Sequence, residues 1–151
     1  MKDYLIEKMY EYSKKPYQKY FKKNKPWNFS KQQLLEFPED SLGFNLGCFL
    51  IKHHFEIQPK LEDHDVIHVL TNTGVSVRDE IAMQYYLFGN GKKSLYLFMV
   101  LITGTIFYPS QIKFFIQKYK AGKKSFQFYH LDFSKMLHQP LKTIQDTFKI
   151  N

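Results

Sequence analysis

Apolar residues return every three or four positions along most of this chain and almost nowhere alternate, which predicts helices and not strands. Ser30 caps a short helix holding Leu34, Leu35 and Phe37. The next helix is predicted from Pro38 to about His53, with Leu42, Leu46, Phe49 and Leu50 on its apolar face. Glu39 and Asp40 complement the dipole at its start, and Gly43 and Gly47 leave a notch one turn long for a packing neighbour. After the connection Ile57-Gln58-Pro59, a helix is expected from about Glu62. Thr71 to Gly74 reads as a break, because glycine tolerates the left-handed backbone that ends helices. Ser76 caps a second helix with Ile81, Ala82, Tyr85, Leu87 and Phe88, and Gly89-Asn90-Gly91 ends it.

Leu95 to Tyr108 is the most apolar run. It falls short of the roughly 20 residues needed to cross a bilayer, so a buried central helix is expected. The same run packed beside a polar site would wall an oily pocket, and periodicity does not separate that from a filled core. A helix restarts at Pro109-Ser110 through about Tyr119. Lys120 to Lys124 around Gly122 reads as a basic turn, Phe126 to Phe133 as extended, and Pro140 opens a last helix with Leu141, Ile144 and Phe148. The expected fold is all-α: a single compact domain of about six to eight helices around the central apolar one.

Composition sharpens this picture. The 151 residues suffice for one domain with a real core, and fifteen Phe and eleven Tyr supply much of its buried area. The net charge of +8 is nearly all lysine and admits nucleic acid, an anionic membrane or a small anion as partner. Arg78 is the only arginine, and no nucleic-acid-binding signature is visible, so nucleic acid is not expected. Eight lysines fall between residues 2 and 25, interleaved with tyrosines, which marks residues 1–28 as a basic arm or helix suited to an anionic membrane surface. Residues 29–151 are expected to form a helical domain, the metal-binding one if the cluster described next holds an ion. Trp27 anchors the junction, against the core or at a bilayer interface. The lone Cys48 excludes an internal disulfide, suits a reducing compartment and reads as a core residue. The start, Met1-Lys2-Asp3-Tyr4, does not resemble a secretory signal.

The candidate chemistry lies between His64 and Glu80. His64 and His68 stand one turn apart on one helical face, and Asp65 is close enough to reach the same point. An antiparallel second helix brings Glu80 to face them. Two imidazoles and two carboxylates make a ligand set for a divalent metal, with zinc favoured and iron the alternative. The competing reading is a chance pair of core histidines. His53 and His54 are about 100° apart on a helix end and suit a C-terminal cap better than a shared ion. Asp63 and Asp79 are nearby acids expected to be solvated.

His64-Asp65-x-x-His68, eleven residues and then Glu80 resembles the signature of the coenzyme Q (ubiquinone) biosynthesis protein four family. Phe37-Pro38-Glu39-Asp40-Ser41-Leu42-Gly43 is similar to that family's Pro-Glu-Gly-Thr-Leu-Gly segment, with Asp40 where glycine is usual, and Pro140-Leu141 to its C-terminal element. The Tyr/Arg-rich stretch that often precedes the motif is replaced by Lys60-Leu61-Glu62-Asp63. The resemblance implies a metal held by His64, Asp65, His68 and Glu80. It also implies a role in polyprenyl-quinone biosynthesis: a metal-dependent decarboxylase, a lyase, acting on a polyprenylated 4-hydroxybenzoate. The alternative is a non-catalytic, lipid-binding scaffold with a structural metal. Implied partners are a polyprenyl lipid or quinone precursor, other quinone-biosynthesis proteins, an anionic membrane surface and a second copy as homodimer. The implied location is cytoplasmic, peripheral to the inner face of the membrane.

Overall fold

The computed structural model describes residues 1, 3–4, 7–8, 25–60 and 62–150, and most of the basic arm expected at 1–28 lies outside them. Among the described residues there are seven α-helices and no strand: α1 (Lys31–Leu35), α2 (Leu42–Lys52), α3 (Glu62–Thr71), α4 (Val77–Gly89), α5 (Leu95–Phe107), α6 (Ile112–Lys124) and α7 (Leu141–Phe148). The domain is all-α, as the periodicity predicts.

Local chemistry accounts for most helix ends. Ser30 and Gln33 form a reciprocal capping box on α1, and Ser76 and Ser94 each accept the third backbone N–H of the helix they precede. Helix α2 starts later than expected: Pro38 to Asp40 form a turn and Ser41 is the cap. The tertiary reason is on the opposite strand of chain. Leu42 N–H donates to Gln139 O at 2.9 Å, Gly43 N–H to Leu137 O at 2.9 Å and Leu141 N–H to Asp40 O at 2.8 Å, so Asp40 is occupied by the loop before α7. Helix α3 ends at Thr71, but the left-handed residue is Asn72 (φ 47°) and not Gly74.

Helix α4 is the element the others pack on. Its closest partner is α6, and both helices supply glycine at the crossing. A Cβ on Gly122 would stand 1.9 Å from Tyr86 O, and one on Gly89 would stand 2.0 Å from Tyr119 O. Gly122 is therefore a helical residue where two backbones touch, and α6 runs through the stretch expected to be a basic turn. Asn90 locks the same corner. Its amide donates to Phe126 O at 3.0 Å and its carbonyl accepts from Phe128 N–H at 3.0 Å, so the 126–129 segment, which buries Phe128, needs no strand partner.

Two expectations about burial change. Helix α5 is not wholly buried. Leu97, Val100 and Gly104 face inward, while Leu95, Phe98, Ile102 and Ile106 form an exposed apolar stripe, with Ile102 at 60% and Ile106 at 67% exposure. The run is so apolar that its sequence carries no sidedness, and its position at the edge of α4 decides which half is covered. Cys48 is exposed, not core, because α2 turns its 42/46/50 stripe inward and 48 falls on the opposite side. Trp27 packs against the core cluster. Among the described residues no single helix is long and apolar enough to cross a membrane.

Candidate metal centre

Helix α3 opens with Glu62, Asp63 and Asp65, acids that suit the positive end of its dipole. From it, His64 and His68 project one turn apart, with ring centroids 4.8 Å from each other and the rings nearly perpendicular. The break at residues 72–76 returns the chain antiparallel, and Ser76 caps α4 so that Glu80 falls in its first turn. Glu80 divides its oxygens between the two imidazoles: Oε2 is 3.1 Å from His64 Nε2 and Oε1 is 3.0 Å from His68 Nε2. The three donors lie within 4.8 Å of one another.

Asp65, the fourth residue expected in the set, stands beside this cluster. Its Oδ1 is 3.7 Å from Nδ1 of His64, the ring nitrogen that points away from Glu80. Asp65 also borders a cavity of about 10 Å³, room for about one water, lined by Trp27, Phe29, Leu46 and Glu62 among others. Buried Glu62 closes that side by accepting Trp27 N–H at 2.9 Å. Asp79 is engaged in the cap, accepting a hydrogen bond from Ser76 Oγ at 2.7 Å.

His68 is the buried member. Its Nδ1 lies 3.2 Å from Thr73 O, a contact that fixes the ring so that Nε2 is the nitrogen turned toward the cluster. Phe49 of α2 stacks on the same ring, centroids 5.5 Å apart and planes within 20°. Neither Thr73 nor Phe49 is marked by local sequence. Both act through positions that only the packing of α2 and the end of α3 create.

Electrostatics tie the cluster together. Burial works against charging His64, but the Glu80 carboxylate, with Asp65 adding to it, outweighs that and raises its pKa to about 9. Burial pushes the Glu80 carboxyl up, yet the charge of His64 and hydrogen bonds from both histidines hold it well below the usual carboxylate range.

The donor chemistry fits a divalent metal. Ligand bonds of about 2.0–2.2 Å put neighbouring donors roughly 3 to 3.5 Å apart, close to the separations from Glu80 to each imidazole. Two histidines and one carboxylate suit zinc or iron alike and leave coordination positions open.

No curated protein matches the chain. A protein of Nostoc punctiforme, whose crystal structure is described as that of a ubiquinone biosynthesis protein, shares the fold with a TM-score of 0.69. The two are 16% identical, and the match covers 85% of this chain and 71% of that one. The sequence model of the coenzyme Q (ubiquinone) biosynthesis protein Coq4 matches residues 51–151, a stretch that holds His64, Asp65, His68 and Glu80. With well over half of it matched and the three-donor cluster inside the match, the chain belongs to the coenzyme Q (ubiquinone) biosynthesis protein Coq4 family.

Proposed function

We propose that this ubiquinone-biosynthesis protein is a metal-dependent enzyme that removes the ring carboxylate of a polyprenylated 4-hydroxybenzoate and leaves a hydroxyl. One observation carries the reading: His64, His68 and Glu80 supply three donors, while Asp65 stands at the outer nitrogen of His64. A structural zinc is closed by four protein ligands, whereas a catalytic one keeps a position for substrate. When bound, the metal would polarise the carboxylate or phenolate oxygen, and iron would also support oxygen chemistry. Glu80 and the two imidazoles would hold the ion, while Thr73 and Phe49 fix the His68 ring and Asp65 stands at His64. The carboxylate leaves as carbon dioxide, one atom of dioxygen becomes the hydroxyl oxygen, and the other leaves as water with two electrons and two protons from a reductant.

The exposed stripe of α5 supports a membrane or a polyprenyl chain as the neighbouring phase. It equally favours the second reading, a lipid-holding scaffold for other quinone-pathway enzymes with no turnover of its own. The deciding experiment supplies a short-chain 3-prenyl-4-hydroxybenzoate, dioxygen and a reductant to protein loaded with iron or zinc. A decarboxylated, hydroxylated product, absent with the Glu80→Ala variant, supports the enzyme. Tight prenyl-acid binding without product under either metal supports the scaffold.

A further inference from the structure

Gln84 is 3% exposed, and among the described residues its side-chain oxygen has no hydrogen-bond partner. Other buried polar side chains nearby are satisfied: Tyr86 by Ser125, Asn90 by the 126–129 segment, Thr71 by Ile67 O. A buried acceptor without a donor destabilises the protein that carries it, so its persistence calls for a donor that arrives from outside.

Its place on α4 indicates which donor. Gln84 follows Glu80 by four residues, so the two share a face with Cβ atoms roughly 5–6 Å apart. The other neighbour of that face is α5, which runs antiparallel. Ile81 meets Gly104, Tyr85 Oη bonds Thr105 Oγ1 at 2.5 Å, and the Phe88 and Phe98 rings are 5.7 Å apart. In that register Gln84 lies at the level of Leu101, between the polar cluster and the apolar helix.

We propose that Gln84 is a specificity-determining residue of the same site. Its carbonyl accepts a hydrogen bond from the ring hydroxyl of an aromatic acid whose carboxylate is held at His64, His68 and Glu80. The order cluster, lone acceptor, apolar helix matches the order carboxylate, para hydroxyl and ortho apolar chain in such a molecule. A neutral amide suits a neutral phenol, since neither partner has to ionise in a buried seam. The assignment rests on the reading of the site as one for hydroxyaryl carboxylates.

The test uses the full chain loaded with zinc, which is redox-inert, and calorimetric titration with two probes. These are 3-(dimethylallyl)-4-hydroxybenzoate and the same acid lacking the hydroxyl. Wild type is expected to bind the hydroxylated acid at least about tenfold tighter, because a site built around a hydroxyl is left with an unpaired group by the analogue. Gln84→Met and Gln84→Leu keep their zinc and the affinity for the analogue, bring the two acids within about threefold, and melt at or above wild type. A preference that survives in both variants overturns the inference, as does a wild type that binds both acids equally. A large drop in melting temperature in both variants also overturns it, by making Gln84 a structural partner. If neither acid binds wild type, the substrate reading of the site fails, and the role of Gln84 fails with it.

Discussion

Thr73 is bonded twice to His68. Its N–H donates to the carbonyl of His68 at 3.0 Å, closing the end of α3, and its own carbonyl accepts from the imidazole Nδ1 at 3.2 Å. The turn that stops the helix thus also orients the most buried imidazole of the cluster. That turn depends on Asn72 at φ 47°, a left-handed conformation that asparagine tolerates and β-branched residues do not. Asn72→Gly is expected to retain metal affinity, while Asn72→Val weakens it about 10- to 100-fold, as loss of an outer hydrogen bond to a ligating histidine does. Competition titration with a chelating dye measures both.

Asp65 and Glu80 are expected to behave differently. Alanine at His64, His68 or Glu80 removes one of three donors, and elemental analysis of such variants is expected to find essentially no bound metal. Asp65→Asn leaves all three in place and weakens binding by about 10- to 100-fold only. Loss of metal from Asp65→Asn equal to that of Glu80→Ala would make Asp65 a direct ligand.

The metal-free protein carries a pH signature. The pKa of His64 is raised from 6.5 to about 9, so its pairing stabilises the fold fully below pH 6.5, and this contribution is lost as pH climbs through 9. Glu80 is depressed, so its contribution is present above its ordinary value of 4.5 and fades as pH falls below that. Melting temperature in chelator is expected to be highest between these limits and to fall from pH 6.5 to 9. Glu80→Gln flattens that fall, since the amide offers no charge to hold the His64 proton.

Helix α5 presents its apolar face without a covering element among the described residues. Ile102→Lys and Ile106→Lys are each expected to weaken binding to vesicles containing anionic lipid by about tenfold or more, because burying one such side chain is worth about 1.5–3 kcal/mol. Both positions are exposed, so the melting temperature changes little. Sedimentation with vesicles reads the first effect and calorimetry the second.

The α4–α6 crossing is intolerant of a methyl group. Gly122→Ala and Gly89→Ala each force a Cβ into a backbone carbonyl of the opposing helix, and neither carbonyl can move without parting the helices. Each is expected to cost about 3 kcal/mol or more, at the upper end for overpacked sites. Urea denaturation measures the loss, and a change below about 0.5 kcal/mol would show that the helices part freely.

The local part of this protein is legible in its sequence. Serine caps, helical spacing and the i, i+4 histidine pair act within a few residues, so the helices, the starts at Ser30 and Ser76, and the meeting of His64, His68 and Glu80 could be derived from the chain alone. Contacts between distant segments decided the rest. Residues 40–43 and 137–141 look like separate patches in sequence, yet they hydrogen-bond directly, and this pairing is what delays α2 to Leu42. Gly122 reads as a turn by composition, and only the approach of Tyr86 O shows why a helix needs glycine there. Asp65 is close enough to the histidines by spacing, but which ring nitrogen it meets depends on how α4 turns His64 toward Glu80. An apolar run such as α5 has no polar face to declare its outside, so its exposed stripe is set by what packs on α4 and what does not.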